Sequence, residues 1–102
     1  MIRNELEKIY FTSVNIDDDF WSPRLKNHQE TTIKACLEKC ETEERILNFE
    51  RTYNGNADEG FTGVAFNDSD VYKVIEGVGY SLQNNPNKEL EEYVDSIIDK
   101  IG

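Results

Sequence analysis

Between Leu90 and Ile101 the apolar residues recur every three or four positions: Leu90, Val94, Ile97, Ile98 and Ile101, with Glu91, Glu92, Asp95, Asp99 and Lys100 among them. That spacing lays one apolar stripe along a helix and leaves the other face to water. Such a helix draws its stability from whatever covers the stripe, so it implies partners. The same spacing occurs twice upstream. Leu25, Gln29, Ile33, Cys36, Leu37 and Cys40 mark a helix that starts at Ser22-Pro23, where serine can cap and proline fits the first turn, and that ends near Glu44. Val71, Val74, Ile75, Val78 and Leu82 mark another, opening on Asp68-Ser69-Asp70, whose side chains can accept from the free N–H groups of a first turn. Helices near 22–44, 68–84 and 87–102 make the fold class mainly α.

The rest of the chain reads as connections. Residues 9–16, Ile-Tyr-Phe-Thr-Ser-Val-Asn-Ile, are β-branched and aromatic and predict a short N-terminal β-strand, stopped by Asp17-Asp18-Asp19. Residues 1–21 therefore form a strand and linker, and 22–102 the helical unit. Phe20-Trp21 offers an apolar anchor at its edge. Residues 52–63, with Asn54, Gly55, Asn56, Gly60 and Gly63, read as an irregular loop. Gly77 and Gly79 inside the second helix each cost ~1 kcal/mol against alanine, which points to close approach by a neighbour. Tyr72 and Tyr80 are expected in the core with their hydroxyls reaching water. Asn84-Asn85-Pro86-Asn87 is a turn, and Asn87 can cap the third helix.

Charge excludes several functions. The 102 residues carry 21 acidic and 11 basic side chains, a formal charge of -10. That field repels a polyanionic backbone and the basic residues form no patch, so nucleic acid is not an expected partner. No apolar run approaches the ~20 residues of a membrane span.

The two cysteines, Cys36 and Cys40, stand one helical turn apart, a poor geometry for a disulfide within a helix. His28 is the single histidine, placed at the surface or an edge, so cysteine and histidine alone cannot complete a zinc site. Both thiols read as small buried residues in a reducing compartment. The opening Met-Ile-Arg-Asn-Glu-Leu-Glu-Lys has no apolar signal region, and a cytoplasmic location is the expectation.

From Phe61 the chain reads Phe-Thr-Gly-Val-Ala-Phe-Asn-Asp-Ser-Asp-Val-Tyr-Lys. This resembles the F-x-G-x-x-F-x-D-S-D-V-Y-K hallmark of the β-L-arabinofuranosidases of glycoside hydrolase family 127. Val14-Asn15-Ile16, Phe20-Trp21 and Arg24 resemble the family's opening block, and Cys40 followed by Arg45-Ile46-Leu47-Asn48-Phe49 resembles its C-x-x-x-x-R-I-x-N-F block. Glu76, Tyr80-Ser81-Leu82, Pro86, Glu89-Leu90 and Asp95 to Asp99 continue the order. Two departures stand out: Val74 replaces a usual tryptophan, and Glu43-Glu44 replaces a common Thr-Gly. The resemblance implies the first three helices of an (α/α)6-barrel catalytic domain, and thus a partial barrel. It implies retaining hydrolysis of β-L-arabinofuranosides by the full-length protein, with a zinc-bound cysteine nucleophile, a zinc-ligating glutamate and an acid/base glutamate, all beyond position 102. Catalytic residues, metal ligands and cofactors are accordingly expected to be none in this chain.

Asp68, Ser69 and Asp70 are candidates for the rim of a sugar pocket, with Asn48 and Arg45 as support. Capping and loop bracing explain the same residue types without a ligand. Asp68 and Asp70, two apart at a helix start, diverge rather than flank a bond and are no acid/base pair. The reading is the N-terminal portion of an arabinofuranosidase-like hydrolase, inactive alone. Its partners would be the rest of the barrel or a second copy through apolar faces, with carbohydrate bound only in a full-length context. The alternative is a freestanding acidic helical interaction module. No nucleophilic triad or phosphate loop supports a small independent enzyme.

Overall fold

The structure is a computed structural model and describes residues 5–55, 63 and 68–102. Helices α1 (Trp21–Asn27) and α2 (Lys34–Thr42) are joined by a π-helical turn, His28–Ile33, into one rod. Then come α3 (Arg45–Tyr53), α4 (Asp68–Asn84) and α5 (Lys88–Ile101). The glycine-rich stretch read as a loop lies largely outside the described residues.

No strand occurs among the described residues, and the one expected over 9–16 is replaced by a single 3-10 turn, Phe11–Ser13. Ser13 N donates to Tyr10 O at 2.9 Å and Val14 N to Phe11 O at 3.1 Å. Tyr10 and Val14 keep extended backbone angles. Extended residues become a strand only when another strand takes up their N–H and C=O groups, and the described residues offer none. Residues 5–20 are all exposed, forming an arm. An edge contact between Phe11 and Tyr80, with centroids 4.8 Å apart, and a 3.5 Å bond from Gln83 Nε2 to Thr12 O tie it to α4. The radius of gyration, 17.8 Å, exceeds the ~13 Å of a compact chain this long.

The first helix starts one residue earlier than expected, and its cap is Asp18 rather than Ser22. Asp18 Oδ1 accepts from the backbone N–H groups of Phe20, Trp21 and Ser22, while Ser22 Oγ accepts from Asp18 N at 3.0 Å. This reciprocal pairing satisfies donors that a helix start leaves open. The π turn then resets the register, and it buries Gln29 and Ile33. Buried Gln29 donates through Nε2 to Ser81 Oγ (3.2 Å) and Asn85 O (2.7 Å), fastening the rod to the end of α4.

The rod ends at Thr42 because Glu44 takes a left-handed conformation, φ 59° and ψ 17°. The chain turns there and enters α3, a helix the expected scheme lacked. Ile46 of α3 is fully buried, and Phe49 packs against the core from one turn further on. That core gathers Ile33, Leu37 and Cys40 from the rod, Val71 and Val78 from α4, and Leu90, Val94 and Ile97 from α5 around Ile46. Asn87 caps α5 as its sequence suggests, accepting from Leu90 N at 3.1 Å.

Three expectations about side-chain placement need correction. Cys36 is exposed and only Cys40 is buried, because the π turn rotates the rod and leaves Leu37 and Cys40 on its inner face. Tyr72 and Tyr80 are about half exposed rather than in the core, touching Phe49 and Phe11 with one ring side each. Nothing lies within 4 Å of a Cβ built on Gly77 or Gly79, so no described neighbour makes the close approach those glycines permit.

Candidate functional site

The head of α4 and the head of α3 meet at one corner. Asp70 Oδ2 lies 3.2 Å from Arg45 Nε, and Arg45 Nη1 lies 2.7 Å from Glu43 Oε2. Lys73 Nζ approaches the other Asp70 oxygen at 3.9 Å, one turn along the same helix. Arg45 is mostly buried while Asp70 is half exposed, so the ion pair sits at the edge of the core. The left-handed residue Glu44 makes this possible, turning the chain so that Arg45 leaves the rod and faces α4. Its own carboxylate receives Arg51 at 3.5 Å, and Arg51 Nη1 also donates to Asn48 Oδ1 at 3.3 Å.

Of the residues singled out in the sequence, Asp70 and Arg45 are thus brought together. Asn48 lies in the second turn of α3 and spends its carbonyl on Arg51. Asp68 is exposed at the very start of α4, and Ser69 beside it is half-buried. His28 is exposed in the π turn. Trp21 is exposed too, edge-on to Phe20 at 4.9 Å, while the Arg24 guanidinium stacks over the Phe20 ring at 3.7 Å.

Cys40 lies behind this corner. Burial pushes its thiol pKa up, an effect that Arg45 opposes and Asp70 reinforces. A thiol held in its protonated form is a poor nucleophile and a poor metal ligand. Among the described residues no group of three or more His, Cys, Asp or Glu side chains stands close enough to hold a metal ion. These residues therefore do not fit a zinc site.

A second concavity lies between α2 and α5, and the sequence reading missed it. Its volume is about 510 Å³, and it is lined by Lys34, Leu37, Glu38 and Glu41 on α2, by the cap residue Asn87, and by Glu89, Leu90 and Tyr93 on α5. Tyr93 Oη donates to Glu41 Oε1 at 2.9 Å across it. Partial burial and this bond to a carboxylate push the Tyr93 pKa up to about 12. The available signal was the spacing 34, 37, 38 and 41 on one helix face, legible only once a facing helix is known. A smaller concavity, about 250 Å³, lies where Leu25 and His28 face Gly77, Tyr80, Ser81, Asn84 and Asn85.

Comparison with known proteins decides the lineage. The model of the β-L-arabinofuranosidase GH127 catalytic domain matches residues 13–102. The chain belongs to this family. A curated relative, the non-reducing end β-L-arabinofuranosidase of Bifidobacterium longum subsp. longum, is 43% identical over 48 residues, which are 47% of this chain and 7% of that protein. The solved GH127 β-arabinofuranosidase BT3674 superposes with a TM-score of 0.77 at 42% identity, over 88% of this chain and 14% of that one. This family member therefore spans about a seventh of the solved relative's length. Its helices are those of a GH127 catalytic-domain segment, and among the described residues no helix is long and apolar enough to cross a membrane.

Proposed function

We propose that this chain supplies opening helices of the catalytic domain in an enzyme that hydrolyses β-L-arabinofuranosides, and that it does not catalyse the reaction alone. The match to the family's catalytic domain over residues 13–102 carries this reading. Retention of configuration needs a nucleophile and an acid/base on opposite sides of the anomeric carbon. Asp68 and Asp70 share the first turn of one helix, and Asp70 is committed to Arg45. Cys40 is buried and held protonated. What the segment offers instead is a rim: exposed Asp68, with Ser69 beside it, on a helix head anchored through Asp70 to Arg45, and Asn48 on the adjoining helix. Hydroxyl-rich sugars are held by short polar side chains of this kind placed on rigid elements. The zinc, the cysteine nucleophile, the zinc-ligating glutamate and the acid/base glutamate that the resemblance implies would come from other parts of the full-length protein. Its nearest partner is the remainder of the barrel.

The test is a family catalytic domain in which residues 13–102 of this chain replace the matching segment. It should cleave an aryl β-L-arabinofuranoside, whereas the 102-residue chain should not. Asp68→Asn and Ser69→Ala in that protein should raise KM about three- to tenfold with little change in kcat, the mark of lost ground-state contacts. A folded but inactive hybrid overturns the family function for this segment, and unchanged KM values overturn the rim.

A further inference from the structure

We propose that Arg45 is a positioning residue for the sugar-binding rim, setting the placement of Asp68 and Ser69 through its ion pair with Asp70. This deepens the rim reading and rests on it. The first buried apolar residue of α4 is Val71. Asp68, Ser69 and Asp70 precede it, so the turn assigned to the sugar lies ahead of the helix's apolar seat in the core. Asp70 Oδ2 ties that turn to Arg45 Nε at 3.2 Å, and Arg45 Nη1 reaches Glu43 Oε2 at 2.7 Å. Glu43 is held in turn by Lys39 Nζ of α2 at 2.9 Å. A chain of ion pairs thus runs from α2, through the first residue of α3, to the head of α4.

The shape of the guanidinium gives this chain its precision. Nε and Nη1 are donors fixed in one plane, so two carboxylates from different elements are held at one separation. A lysine ammonium is a single nitrogen on a flexible stem, which keeps the charge but not that separation. Both ends of Arg45 are also constrained. The left-handed residue Glu44 fixes where its side chain departs, and the side chain is mostly buried, where salt screens it less than a surface pair. Contacts made by short side chains such as Asp68 and Ser69 tolerate little displacement, so a looser tie weakens substrate binding before it touches the reacting atoms.

The test uses the hybrid catalytic domain that carries residues 13–102, with KM, kcat and Tm measured on an aryl β-L-arabinofuranoside. Arg45→Lys should raise KM about threefold or more with kcat within about twofold of the parent. Asp70→Asn, at a half-exposed residue, should do the same and serves where Arg45→Lys does not fold. In the Arg45→Lys background Ser69→Ala should add less than about twofold, because the contact it removes is already weakened. Lys100→Gln, which breaks the 2.6 Å pair with Glu50 between α5 and α3, should lower Tm and leave KM alone. An unchanged KM in Arg45→Lys and Asp70→Asn, with Asp68→Asn and Ser69→Ala still raising it, overturns the positioning role and leaves the rim standing. An equal rise in KM from Lys100→Gln also overturns it, since the effect is then general loosening of the fold, as does full additivity with Ser69→Ala. Rim variants with no effect on KM overturn the rim and the positioning role together.

Discussion

Glu44 is where sequence and backbone disagree most directly. Its φ of 59° is the left-handed region that glycine enters freely and other residues enter at a cost of roughly 1 kcal/mol or more. The family commonly places glycine here, and the sequence reading noted the departure without its conformational meaning. Glu44→Gly should therefore be more stable than Glu44→Ala by about 1 kcal/mol in urea denaturation, both variants having lost the Arg51 contact. Equal stabilities would mean that the turn relaxes out of the left-handed region. Tyr93 gives a second test at this scale. Its pKa is raised from 10.0 to about 12, so the folded state holds this proton longer than the unfolded state does. The stabilisation is fully present below pH 10.0 and is lost as pH rises through about 12. Denaturation midpoints measured across that window should fall more steeply for the natural chain than for Tyr93→Phe. Parallel profiles would show that burial and the bond to Glu41 do not raise the Tyr93 pKa.

At the scale of elements, periodicity located α4 and α5 because each is long, amphipathic and headed by polar residues of the kind that cap helices, as Asn87 does for α5. Asn87→Ala should cost about 1 kcal/mol, read as a lower Tm, with serine restoring most of it. The failures are equally physical. Residues 9–16 have strand composition but no partner strand among the described residues, and propensity alone does not make one. Helix α3 was missed because Arg45–Tyr53 is short, and its apolar residues, Ile46, Leu47 and Phe49, do not declare a period over so few positions. The π turn leaves no composition signature, yet it decides that Gln29 and Cys40 face inward and Cys36 outward. In the candidate rim, Asp68, Ser69 and Asp70 were legible as a helix head. The partnership of Asp70 with Arg45 was not, because it crosses from one helix to another and depends on the left-handed residue between α2 and α3.

For the whole molecule, the balance of buried and exposed apolar surface is the governing quantity. Fully buried Ile46, Val78 and Ile97 hold a small core, and Ile97→Ala should cost ~2–5 kcal/mol, a large share of what so short a chain can possess. Outside it, Leu6, Ile9, Tyr10, Phe11 and Phe20 on the arm, Trp21 at the start of α1, and Tyr72 and Tyr80 on α4 remain exposed. In the proposed full-length enzyme the rest of the catalytic domain covers these side chains. The central claim is that these helices are part of a larger barrel and complete themselves only against it. Size-exclusion chromatography with light scattering, paired with a thermal melt followed by circular dichroism, tests it most directly. The 102-residue chain should self-associate through its apolar face and lose its helices over a broad range of temperature. A compact monomer that melts in one sharp cooperative step would contradict the account.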